Sequence, residues 1–210
     1  MKIIFRILLN FLPLFLWICF LIRLRQKPLL VAISVFLGIF IFLPCSFLQT
    51  VISPFFDNLK KQALGFFLYS IVVNGFLEEG SKFLPTLIFR KNSRKDFVFL
   101  AGTLGISLAC FENLMYFLRF SGEYFFLRIL FTLPLHLSCS LLTALIFTNK
   151  EKFRRIPFFH GMMIHGFFNF FAFFGGFFHI FSALTVLFSS FFVYKQCASL
   201  VCKKNSLTNE

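Results

Sequence analysis

The sequence predicts an all-α fold, a polytopic transmembrane helix bundle of about seven spans. Three observations carry that expectation. Of 210 residues, 59% are hydrophobic and only 14% charged, where soluble domains run near about 25% charged. Mean hydropathy is +0.86. The apolar residues also gather into seven runs, each long enough to cross a hydrocarbon core of roughly 30 Å.

The first run covers about Ile3–Ile22 and closes on the basic stretch Arg23-Leu24-Arg25-Gln26-Lys27. Lys2 and Arg6 lend it the charge of a signal peptide. The run is too long for one and no small-residue cleavage site follows, so it reads as a retained helix. The second extends from about Leu29 to Ile52 and stops near Pro54. Phe55–Lys61 leads to the third, about Ala63–Phe89, which ends at the polar stretch Arg90–Asp96. The fourth is Phe97–Leu118, and the fifth, about Tyr124–Thr148, is ended by Asn149–Arg155. The sixth runs from Pro157 to Phe174. There Gly175-Gly176 breaks it, and the seventh continues to about Val193 or beyond.

Net charge is +13, yet the basic residues are scattered between apolar runs rather than set in a basic domain with interleaved aromatics. They suit topology and anionic headgroups, and no nucleic-acid partner is expected. With seven spans, Arg23, Arg25, Lys27, Arg90, Lys91, Arg94, Lys95, Lys150, Lys152, Arg154, Arg155, Lys195, Lys203 and Lys204 fall on one side. The opposite side holds six basic residues. The expected setting is a bacterial cell membrane, with the N-terminus outside and the C-terminus in the cytoplasm. Six cysteines form no C-x-x-C pair and read as small buried hydrophobes.

Against this background Glu78, Glu79, Lys82, Glu112, His136, His165 and Asn169 stand out, because each lies inside an apolar run. A charge at the bilayer centre costs roughly 2.5–3.5 kcal/mol on insertion scales, so it needs a partner or a task. Lys82 lies one helical turn from both Glu78 and Glu79. The two carboxylates point about 100° apart on a helix of 3.6 residues per turn, so one can face a cavity while the other pairs. Two carboxylates against one lysine leave a charge over, suited to general-base work. Glu112, Asn113 and Tyr116 crowd one sector of the fourth run, below Gly102 and Gly105, which permit close helix approach. His136 follows Pro134, with Arg128 two turns earlier and Thr132 and Ser140 on its face. His165 and Asn169, at i and i+4, can both donate to an oxyanion, and Gly161 and Gly166 leave room beside them. His160 and His179 lie nearer run ends, where interfacial roles are expected.

Glu78-Glu79-x-x-Lys82, Gly105 through Phe111-Glu112-Asn113-x-x-Tyr116, Arg128 with His136, and His165-x-x-x-Asn169 stand in that order on four runs. Together they resemble the PrsW family of intramembrane proteases, within the wider clan of prenyl-protein (CAAX) endopeptidases. The resemblance covers about 74–170 and implies a protease core of about 63–176 within a single membrane domain, 1–210. It implies a glutamate-activated water attacking a peptide bond, without a cofactor. Glu78 would be the base with Glu79 supporting it, and His136 would position the water or share its proton. His165 and Asn169 would stabilise the oxyanion, with Glu112 in the clan's second motif. Lys82, Asn113, Tyr116 and Arg128 would support them. The implied partner is a membrane-anchored protein substrate, such as an anti-sigma factor, met in the lipid bilayer. Phe168 and Ala144 depart mildly from the family pattern, where Trp and Gly are expected.

Two alternatives stay open. The protease could depend on zinc held by His136, His165 and a glutamate, Glu78 or Glu112, although no H-E-x-x-H is present and the ligands must come from separate helices. The chain could instead be a proton-coupled carrier or a scaffold subunit, since intramembrane Glu and His also build relays. Nothing in the sequence sets the oligomeric state.

Overall fold

The structure, a computed structural model, describes residues 2–119, 125–147 and 156–202. The connections at 120–124 and Asn149–Arg155, and Lys203 and Lys204, lie outside the described residues. The described residues are helical apart from the short connections, with no strand among them. The helices are α1 (Lys2–Arg23), α2 (Pro28–Ile52), α3 (Ala63–Tyr69), α4 (Leu77–Ile88), α5 (Arg94–Arg119), α6 (Phe125–Phe147), α7 (Ile156–Phe174) and α8 (His179–Cys202). Helices α3 and α4 are joined by a π-helical segment, Ser70–Phe76, into one rod. The rods match the seven predicted runs. Among the described residues, five stretches are long and apolar enough to cross a membrane: Ile3–Arg23, Pro28–Phe56, Lys95–Arg119, Phe125–Leu145 and Gly176–Lys195. The protein is a helical bundle integral to the membrane.

Local sequence explains the ends. Pro28 opens α2 at its first turn, where a missing N–H costs nothing. Between α7 and α8 the backbone takes φ of 64° at Gly175 and 51° at Gly176, a conformation that side chains with a Cβ resist. The predicted break at Gly175-Gly176 is therefore real.

The surface inverts the pattern of a soluble protein. On α2, Phe36, Phe40, Leu43 and Phe47 form an exposed stripe at helical spacing, and Leu184, Leu187, Phe188 and Phe191 do so on α8. Lys82 and Glu79, by contrast, are fully buried. Apolar side chains face lipid and ionic ones face the bundle interior, as the cost of a charge in hydrocarbon requires.

Helix α5 is the central post. Asn10 Nδ2 donates to the Cys110 carbonyl oxygen at 2.7 Å, and Trp17 Nε1 to Thr103 Oγ1 at 3.0 Å. Ser34 Oγ donates to the Leu100 carbonyl oxygen at 2.5 Å. These bonds tie α1 and α2 to α5 in a setting where hydrophobic driving force between helices is absent. On its other flank α5 meets α6 at Gly105. A Cβ there would collide with the His136 carbonyl oxygen and with Ser140.

One local feature departs from expectation. The third run is not a regular α-helix, because its middle turn widens to the π form. This turn is pressed against α7, where Gly166 receives the Ile71 backbone and Gly75 approaches the Met162 carbonyl. Such bulges recur at functional sites. Apolar periodicity carries no mark of a single widened turn.

Candidate active site

The four polar segments meet inside the bundle. Helix α4 brings Glu78, Glu79 and Lys82, α5 brings Glu112 and Asn113, α6 brings Arg128 and His136, and α7 brings His165 and Asn169. Adjacent on one helix, the two glutamates turn to different partners. Lys82 Nζ donates to Glu79 Oε1 at 2.6 Å and stands 3.9 Å from Glu78 Oε1. His165 Nδ1 stands 2.7 Å from the same Glu79 oxygen. Glu79 is thus held from two sides.

For neutral imidazoles the contacts favour one tautomer of each ring. Lys82 Nζ lies 3.3 Å from His136 Nδ1, and an ammonium group only donates, so Nδ1 accepts. The ring proton of His136 then sits on Nε2, 3.0 Å from Glu112 Oε2. A carboxylate only accepts, so His165 carries its proton on Nδ1 and turns Nε2 toward Glu78 Oε2 at 3.5 Å. The rings meet edge to face with centroids 5.1 Å apart. Glu78 Oε1 lies 3.2 Å from His136 Nδ1, which in the neutral ring has no proton to offer, and the oxygen is buried without a hydrogen-bond partner among the described residues.

Behind His136 the network continues to α5. Arg128 Nη2 donates to Glu112 Oε1 at 2.7 Å and Arg128 Nε to Asn113 Oδ1 at 3.2 Å. Its guanidinium lies 4.0 Å from the Tyr116 ring centroid. Thr132 Oγ1 donates to Asn113 Oδ1 at 3.0 Å, while Ser140 Oγ has no partner among the described residues. The crowding of Glu112, Asn113 and Tyr116 thus serves a guanidinium contributed by the next helix.

A cavity of about 140 Å³ opens beside this network. Glu78, Glu112 and Asn169 line it, whereas Glu79, Lys82, His136 and His165 stand behind its wall. Asn169 also donates one amide hydrogen to the His165 carbonyl oxygen at 3.2 Å. Three polar residues on the wall were not singled out from sequence: Ser46, Gln49 and Asn74. Their signal was an amide or hydroxyl inside an apolar run, the same that marked Asn169. Gln49 sits three residues from the end of α2, where an amide reads as interfacial. His160 lies apart, 5.8 Å from the Phe192 ring, and His179 begins α8.

A sequence model described as PrsW family intramembrane metalloprotease matches residues 26–194, most of the chain and all of this network. The chain belongs to the PrsW family. It is therefore an intramembrane protease, a hydrolase working on membrane protein in a lipid setting. Membership places the enzyme ahead of the carrier and scaffold alternatives. Neither curated proteins nor solved structures give a match.

The PrsW family description names a metal, and the donors can be tested against it. One ligand atom each from Glu78, His136 and His165 lie within 4.8 Å of one another. The far nitrogen of each imidazole is held by a carboxylate, Glu112 for His136 and Glu79 for His165. Metal-binding histidines are commonly oriented in this way. The partnerless Glu78 Oε1 is a free donor atom among them. One feature opposes a metal, the Lys82 ammonium 3.3 Å from His136 Nδ1. Its bond to Glu79 gives it a place to withdraw, so the set fits the group. Glu79, Cys139 and His165 form a second group of three. Cys139 also packs among Leu135, Phe168 and Val186, as a small hydrophobe would.

Proposed function

We propose that this PrsW protein cleaves a membrane-anchored protein with Glu78 as general base. The observation that carries the reading is the position of that carboxylate, at once on the cavity wall and between both imidazoles. Glu79, pinned by Lys82 and His165, is not free to take a proton. Its part is to orient His165 and offset the lysine charge.

In the reaction, Glu78 takes a proton from a water as the water oxygen bonds to the scissile carbonyl carbon. The carbonyl oxygen gains the negative charge. Asn169, on the cavity wall with one amide hydrogen unused, donates to it. Collapse of the intermediate breaks the C–N bond, and the proton held by Glu78 passes to the leaving amine. His165 Nε2, 3.5 Å from Glu78 Oε2, is placed to share that proton. The oxyanion role expected of the His165–Asn169 pair thus falls to Asn169. His136 is fixed between Lys82 and Glu112, so its ring stands in a set place beside Glu78.

A second reading is favoured by the converging donors. Glu78, His136 and His165 would hold a zinc ion, which supplies a water acidified toward neutral pH. The orientation deduced from the basic connections, N-terminus outside, belongs to the same proposal. Purified protein carrying Glu78→Gln, assayed against a cleavable membrane substrate, tests both readings, and unaltered turnover rejects them together. Elemental analysis and activity after chelation then separate them. Stoichiometric zinc whose removal ends activity selects the metal, and metal-free protein with full turnover selects the carboxylate alone.

A further inference from the structure

We propose that Gln49 and Asn74, together with Asn169, form a subsite that binds the backbone of an unwound substrate segment. The proposal rests on the protease reading and concerns how that site receives its substrate. In a helix each carbonyl is already bonded to an amide one turn away, so the scissile bond is exposed only after local unwinding. Within a bilayer the freed N–H and C=O groups find no water, and each unsatisfied group costs several kcal/mol. A protease acting there has to supply the missing partners itself.

The cavity supplies them. A carboxamide offers one acceptor oxygen and two donor hydrogens, the same kinds of group that a peptide unit presents. The Gln49 and Asn74 side chains make no hydrogen bond with any described residue, and Asn169 spends one donor on the His165 carbonyl oxygen. All three line the cavity beside Glu78. Asn74 sits one turn before Glu78 on the same rod, and Gln49 faces them from α2. The π-helical segment carries Asn74, so the widened turn acquires a use. A cavity of about 140 Å³ does not admit a helix about 10–12 Å across, whereas a short extended stretch enters.

Two unbonded amides, and a third with a donor hydrogen to spare, around one small cavity also distinguish this wall from the α1–α5 contact, where Asn10 Nδ2 and Trp17 Nε1 are bonded. Neutral amides discriminate little between side chains. The chemistry recognised is therefore the extended backbone, with sequence preference left to other surfaces.

The test uses the full chain in detergent with Glu78→Gln, so that hydrolysis does not enter a binding measurement. The probe is reduced, fluorescently labelled casein, an unfolded polypeptide, followed by anisotropy. Gln49→Leu and Asn74→Leu are each expected to weaken binding by roughly 2- to 10-fold, the loss of one hydrogen bond, and both together by about the product. Asn74→Leu could disturb the π-helical turn, so Gln49→Leu, near the end of α2, is the decisive single variant. A second probe, a casein-derived peptide with N-methylated backbone, should bind more weakly than its parent. That difference should shrink in the double variant, where Asn169 is the one amide of the three that remains. Binding unchanged in the double variant, or no saturable binding with both amides intact, overturns the subsite. The protease reading is tested separately, by whether protein with Glu78 intact cleaves the same casein while Glu78→Gln only binds it.

Discussion

Two seams of this bundle use polar groups in different ways. Between α1, α2 and α5 the contacts are neutral hydrogen bonds in separate residue pairs, such as Ser34 with the Leu100 carbonyl and Trp17 with Thr103. Between α4, α5, α6 and α7 the groups are ionic and continuous, running from Lys82 through His136 to Glu112 and Arg128. The first seam leaves one buried orphan among the described residues, Asn10 Oδ1. Glu78 Oε1, Glu79 Oε2, Asn113 Nδ2 and Ser140 Oγ are orphaned in or beside the second. Hydrogen bonds that only join helices can be completed within the protein. A site for chemistry keeps atoms in reserve for water and substrate, and the cost of leaving them unpaired is borne by the packing around them.

The contrast can be broken most sharply at Glu78. Glu78→Gln should lower kcat by about 10²–10⁴-fold, the usual worth of general-base catalysis, with little change in thermal unfolding. A large fall in unfolding temperature with modest loss of rate would move Glu78 into the structural class.

Next comes Lys82→Met, which leaves Glu79 buried and without its ammonium. Breaking one partner of a buried pair costs about 3–5 kcal/mol, so the unfolding midpoint in detergent should drop steeply. Adding Glu79→Gln should recover part of the loss, and a double variant no better than the single would count against the pairing. Gly105→Val places a branched side chain against the His136 carbonyl and Ser140. The overpacking should cost about 1–3 kcal/mol and also lower kcat, because His136 moves. The smallest effect belongs to the other seam. Ser34→Ala should cost about 0.6 kcal/mol, the average for such bonds in membranes, and leave kcat unaltered. A tenfold fall in rate there would erase the distinction between the seams.

Much of the fold was legible from the chain alone. The seven rods, the break at Gly175-Gly176 and the lipid-facing stripes follow from apolar run length and glycine chemistry, which are local. The buried ionic residues were legible as well, since an ionisable side chain in an apolar run is costly wherever it sits. The π-helical turn was not, because it depends on how closely α7 presses on Ile71. Gln49 and Asn74 were passed over because an amide near a helix end, or beside a carboxylate pair, carries little signal by itself.

Sequence alone determined that the chain is a helical membrane protein with carboxylates, imidazoles and amides distributed over four helices, because hydrocarbon sets run length and penalises charge residue by residue. Only the tertiary structure decided which glutamate of the pair faces the cavity, which partners each imidazole nitrogen meets, and that an α2 glutamine lines the same cavity. Those choices are made by contacts between helices distant in the chain, at distances of a few ångströms that no spacing along one helix encodes.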